Sequence, residues 1–117
     1  MSDHIQTGKT GEELAGLYLE NKGYTIIEKN FRSRRNEIDI IASMKKVLHF
    51  VEVKTRSNLD FALPENKVKG PKLKHLKEAA ENYLYLHPEW KDIQFDILSI
   101  IHKADGNTSY FMIEDVF

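Results

Sequence analysis

Two acids and a lysine, spaced for one face of a β-hairpin, are the residues of this chain best suited to chemistry. Asn36-Glu37-Ile38-Asp39-Ile40-Ile41 is followed, across Met44-Lys45-Lys46, by Val47-Leu48-His49-Phe50-Val51-Glu52-Val53-Lys54. Both runs are rich in the β-branched and aromatic residues that favour a pleated, buried surface. A hairpin with an even-numbered loop (Lys45-Lys46, or Ser43 to Lys46) puts both acids on one face. With the two-residue loop, Asp39 falls directly opposite Glu52. Carboxylates so placed repel one another, and a divalent cation is the simplest thing to hold them. Lys54, two residues beyond Glu52, projects from the same face. The carbonyl of Val53 offers a further oxygen. Glu12 offers a fourth group if its helix packs across the open edge of the hairpin.

Phosphodiester hydrolysis needs this combination. A hard cation is held by carboxylate and carbonyl oxygens. It activates a water and offsets phosphate charge, while a lysine steadies the nucleophile or the pentacovalent phosphate. The predicted catalytic residues are therefore Glu12, Asp39, Glu52 and Lys54. Magnesium or manganese is expected on Asp39, Glu52, Val53 and Glu12. The rival expectation is an ion-pair ladder on a solvated face, with Lys54 pairing Glu37. Ile41, Leu48 and Phe50 should share the acids' face, which places the acids at the rim of buried surface. Glu37 alternates onto the same face as Asp39, as an outer group of the site or an exposed strand-end acid.

Other polar residues read as structure. Asp96 lies mid-strand and, if buried, must be paired, which makes it an anchor for a basic residue near the site. His49 alternates with Val47, Val51 and Val53 and reads as a core or subunit-contact residue. The five histidines show no metal-ligand spacing. Trp90 reads as packing.

The elements that must position these groups are legible. Thr10 and Glu13 form a capping box for a helix carrying Leu14, Leu17 and Tyr18, which Gly23 ends in a left-handed residue. Tyr24 to Phe31 reads as a strand, and the hairpin supplies two more. A second helix starts around Gly70-Pro71, with Leu73, Leu76, Ala80, Tyr83 and Leu84 as its buried stripe, and ends at His87-Pro88. Ile93 to Ile101 and Thr108 to Ile113 are the last strands, joined by the Asp105-Gly106-Asn107 turn. Strands three and four, linked through a helix, can lie parallel.

At 117 residues the chain suits one domain, with residues 1–9 expected to form a flexible N-terminal segment. There is no cysteine, which excludes disulfides, thiolate zinc sites and a cysteine nucleophile. No apolar run is long enough to span a bilayer, and the polar residues after Met1 do not read as a signal peptide. A cytoplasmic address follows as the expectation. The formal net charge is −1, yet the cations are gathered. Local patches govern phosphate binding more than the total does. Arg32, Arg34, Arg35, Arg56, Lys69, Lys72 and Lys74 are the expected phosphate contacts, with solvated surface as the alternative.

These motifs together resemble a known family. Gly11-Glu12-Glu13-Leu14-Ala15, Tyr18-Leu19, Gly23-Tyr24, Asn30-Phe31-Arg32, Asn36 to Ile41, Phe50 to Arg56 and Phe95-Asp96 look like the small bacterial YraN family, also called UPF0102. The resemblance runs from about Gly11 to the C-terminus. That family is similar to archaeal Holliday junction resolvases and restriction-endonuclease-like nucleases. The resemblance therefore implies an α/β fold: a restriction-endonuclease-like core with a mixed five-stranded sheet flanked by helices, in the order α-β-β-β-α-β-β. It implies a site of Glu12, Asp39, Glu52 and Lys54, with Lys72 at a basic position of the second helix. Asn36 stands where the family usually has glycine, and its tolerance of a left-handed backbone would preserve the turn. Gln94 stands where an arginine is common. The expected activity is metal-dependent DNA cleavage, on branched or distorted DNA, by a two-fold dimer. The alternative is a non-catalytic nucleic-acid- or protein-binding module that keeps the fold.

Overall fold

The structure, a computed structural model, describes residues 10–57 and 71–116, with residues 71–73 described by backbone only. Helix α1 (Gly11–Asn21) begins with a complete capping box. Thr10 Oγ1 accepts from the Glu13 amide at 3.2 Å, and Glu13 Oε1 accepts from the Thr10 amide at 2.8 Å. Two amides that the helix itself cannot satisfy are thereby paired. Gly23 ends the helix at φ 101°. The chain continues as β1 (Thr25–Ser33), β2 (Asn36–Met44), β3 (Val47–Ser57), α2 (Pro71–Leu86), β4 (Asp92–His102) and β5 (Thr108–Ile113). This is the predicted order. One mixed sheet runs β1-β2-β3-β4-β5. Only β3 and β4 are parallel, joined through α2, and the other neighbours are antiparallel.

The sheet separates two apolar layers. Leu14, Ala15 and Leu19 of α1 pack on Ile40, Ala42, Val51, Leu98 and Ile100. Leu76, Ala79, Ala80 and Tyr83 of α2 pack on Ile38, Ile41, Leu48 and Phe50. Each fully buried aliphatic or aromatic side chain stabilises the fold by about 1.5–3 kcal/mol over its exposed state.

The β2–β3 hairpin closes through Lys45-Lys46, with both residues left-handed at φ 51° and 69°. That is the φ pattern of a type I′ turn. Pairing runs from Met44↔Val47 to Ile40↔Val51, so the register carries Asp39 towards Glu52. At Asp39 the regular strand fails. Ile38 belongs to the layer under α2 and Ile40 to the layer under α1, although residues two apart in a regular strand share a face. Across β2, the pairs Lys29↔Ile40 and Phe31↔Ile38 flank Asn30, which is left-handed at φ 54°. The expectation that simple alternation puts Glu37, Asp39 and Ile41 on one face is therefore corrected. The strand turns over at Asp39. Asn36 is also not left-handed: Arg34 takes that role in the β1–β2 turn, at φ 61°.

Candidate active site

The kink at Asp39 gives its carboxylate a new partner. Where the β2–β3 ladder ends, Asp39 Oδ2 accepts from the Val53 amide at 2.7 Å. A side chain thus takes the place of a strand carbonyl, and the two strands part around it. Beyond the fork, Glu52 is only 4 % exposed, and Lys54 Nζ lies 3.0 Å from Glu52 Oε2. Glu52 belongs to the α2 face, next to Phe50, whereas Val53 packs into the α1 layer.

Glu52 borders a cavity of about 180 Å³ lined also by Arg35, Asn36, Glu37, His75 and Leu76. The β1–β2 turn supplies Arg35 and β2 supplies Asn36 and Glu37. Helix α2 supplies His75 and Leu76. Asn36 Nδ2 donates to Glu78 Oε1 at 3.3 Å, tying the start of β2 to α2 and fixing that wall. The cavity thus combines two carboxylates, the buried Glu52 and the more exposed Glu37, with an arginine and an imidazole, and Glu52 is paired with Lys54.

The remaining predicted residues are distributed as follows. Glu12, half-buried in the first turn of α1, lies on the other side of the sheet. A Cβ on its neighbour Gly11 would meet Thr55 Oγ1 at 2.5 Å and Val53 Cγ1 at 3.7 Å, so the helix start is pressed onto β3. Among the described residues no three Asp, Glu or His side chains gather into a metal-holding group, and Glu12 therefore does not complete a cage with Asp39 and Glu52. Arg32 is exposed and pairs with Glu37 at 3.8 Å, so Glu37 is held by Arg32 while Lys54 is held by Glu52. Arg34, Arg35 and Lys74 are exposed. Arg56 is buried, because it stays in the central β3–β4 pair opposite Ile101, and it is not a surface phosphate contact. Lys72 lies in the first turn of α2, and its side chain is outside the described residues. Lys69 and residues 1–9 also lie outside them.

The sequence aligns with a described family over most of its length. Residues 11–100 match the uncharacterised protein family UPF0102. A UPF0102 protein of Chloroherpeton thalassium is 37 % identical over 125 residues, covering 100 % of this chain and 97 % of its own. One of Bacteroides thetaiotaomicron is 41 % identical over 117 residues, covering 100 % and 96 %. One of Dictyoglomus thermophilum is 41 % identical over 102 residues, covering 86 % of each chain. This chain belongs to the UPF0102, or YraN, family.

Within this UPF0102 protein a second buried carboxylate lies on the opposite face. Asp96 is fully buried, with Oδ2 2.6 Å from His49 Nδ1. Its Oδ1 accepts from Gln94 Nε2 at 2.9 Å and from the Asp115 amide at 2.9 Å. The anchoring role expected of Asp96 is thus filled by His49, a core residue, rather than by a base beside the cavity. Tyr24 packs edge-on against the His49 ring at 5.0 Å. Burial, and then the negative charges of Asp96 and Glu114, push the Tyr24 hydroxyl up to about 12.

His75 is the cavity residue that sequence reasoning did not single out. One signal was present. It directly precedes Leu76 of the buried stripe and follows Lys72 by three residues, and such spacing puts helix positions on one side.

Proposed function

We propose that this protein is a magnesium- or manganese-dependent endonuclease acting on DNA phosphodiesters. The observation that carries the reading is the fork at Asp39. A β-ladder opens around one carboxylate, and a second carboxylate with its lysine borders a cavity that has an arginine and a histidine in its wall. Asp39, Glu52 and the Val53 carbonyl are hard oxygen donors. Their number suits magnesium, which is held by one or two carboxylates while waters and substrate phosphate fill its remaining positions. A bound cation there would lower the pKa of a water and offset charge on the scissile phosphate.

The chain's own residues do the rest. Lys54 orients the attacking water and faces the charge that develops on phosphorus. Arg35 supplies positive charge, and His75 a ring N–H donor, at the cavity wall for the phosphate oxygens. Arg34 and Lys74, both exposed, extend the contact along the backbone, with Lys69 and Lys72 nearby in sequence. Water oxygen bonds to phosphorus, the P–O bond to the leaving sugar breaks, and one proton passes to that oxygen while the other goes to solvent. So small a cavity engages one phosphate, so a branched substrate fits best if two copies act about a two-fold axis.

The test is cleavage of labelled duplex, single strand, flap and four-way junction, with magnesium, manganese or EDTA. Wild type is expected to give metal-dependent product. Glu52→Gln is expected to lose it by about 1,000-fold or more, as for other groups acting on transition-state charge, while still binding DNA. Binding without product from wild type would replace this reading with a binding module that keeps the fold. Equal cleavage by Glu52→Gln would remove Glu52 from the chemistry.

A further inference from the structure

Ser99 on β4, cross-strand from Lys54, is a buried polar residue that the fold leaves unexplained. It is fully buried, and among the described residues its Oγ has no hydrogen-bond partner. Its place in the sheet is specific. In the parallel β3–β4 pair, Lys54 lies opposite Ser99 and Glu52 opposite Ile97. Cross-strand partners share a face. Leu98 and Ile100 point into the α1 layer, so Ser99 stands on the other face, beside Lys54. A buried hydroxyl left without a partner is destabilising. A core needing only a small residue there would be more stable with alanine.

We infer that Ser99 is a positioning residue for Lys54, an inference that rests on the nuclease reading above. In the structure Lys54 Nζ is held by Glu52 Oε2 at 3.0 Å. With a cation on Glu52, like-charge repulsion would displace the ammonium from that oxygen, and Lys54 would then need another acceptor. The Ser99 hydroxyl has two lone pairs, sits in the same cross-strand row, and lies within reach of a flexible four-carbon stem. It holds the ammonium beside the attacking water instead of letting it swing into solvent. Ser99 therefore touches neither substrate nor cation, and it acts through the lysine.

The experiment compares wild type with Ser99→Ala in three measurements. Removing an unsatisfied buried hydroxyl should raise the apo Tm, by about 4 °C for a domain of this size. That rise also shows that the variant folds. Metal-dependent cleavage should fall by about 100-fold, the scale of a misplaced catalytic group, with DNA binding unchanged. The third measurement is the NMR signal of the Lys54 ammonium, which survives solvent exchange only where the group is hydrogen-bonded. Without magnesium both proteins should show it. With magnesium wild type should keep it and Ser99→Ala should lose it. A variant that cleaves like wild type, or keeps the signal in magnesium, overturns the role of Ser99 alone. No product from wild type removes the nuclease reading, and this inference with it.

Discussion

Glu52 and Asp96 are two carboxylates buried almost equally deep, on adjacent strands, and their surroundings differ. They sit one step of register apart, since Asp96 lies opposite Val51, but on opposite faces of the sheet. Asp96 is saturated by His49, Gln94 and the Asp115 amide. It fastens β3, β4 and the segment after β5 into one unit. Glu52 instead borders a cavity, beside a lysine, with Arg35 and His75 in the wall. Burial alone therefore does not mark a functional acid. What distinguishes the two is whether the surroundings close around the carboxylate or leave room for a ligand.

Substitution should separate them sharply. Asp96→Ala strands the buried His49 and removes the acceptor of the partly buried Gln94 and Asp115 donors, and should lower unfolding free energy by about 3 kcal/mol. Chemical denaturation measures this, and amide exchange at Asp115 and Val116 should accelerate with it. Glu52→Gln breaks a pair whose lysine is partly solvated, and should cost only about 1 kcal/mol or less, while removing cleavage. If Asp96→Ala folds with wild-type stability, the distinction between a closed and an open acid fails.

The parts of this contrast that sequence could reveal are the local ones. The capping box of Thr10 and Glu13, the left-handed Gly23 and the Lys45-Lys46 register each depend on residues a few positions apart. Local rules therefore found the first two and offered the third as one of two even-numbered loops. The turnover at Asp39 depends on two strands parting, and on a left-handed Asn30 in a third run of sequence, so period-two alternation missed it. His75 enters the cavity only because α2 packs across β2, and its place beside Leu76 and one turn after Lys72 shows which side of the helix it takes but not what it meets there. The partner of Asp96 is set by the β3–β4 parallel register, which places residues 47 positions apart in contact. Arg56 read as a surface cation because its neighbours are polar, yet the central strand pair buries it.

Tyr24 offers a finer probe of the closed side. Its hydroxyl is raised from 10.0 to about 12 by burial first and by Asp96 and Glu114 next. The folded state therefore keeps the proton more tightly than the unfolded chain does. Stability from this group is fully present below pH 10 and is lost as pH rises through about 12. Denaturation at stepped alkaline pH, read beside tyrosinate absorbance, should show that decline, and Tyr24→Phe should lessen it, leaving the part due to Tyr83 and Tyr110, whose hydroxyls burial also raises. An ordinary titration for Tyr24 would mean that the pocket around His49 and Asp96 is open to water, which would blur the contrast with Glu52.

The smallest effect lies at the two ends of the β2–β3 hairpin. Its open end holds Asp39, and its closed end is Lys45-Lys46, two residues in a left-handed conformation that side chains with a Cβ resist. Asparagine followed by glycine is the pair that such a turn prefers. Replacing Lys45 by Asn and Lys46 by Gly should raise stability by about 1 kcal/mol, seen as a Tm about 4 °C higher. Cleavage should not change, because the turn lies at the far end of the ladder from Val53 and Glu52. A stabilised variant with altered cleavage would mean that strain at the turn is transmitted along the ladder to the fork. The register from Met44↔Val47 to Ile40↔Val51 is regular, so the strain should stay where it is made.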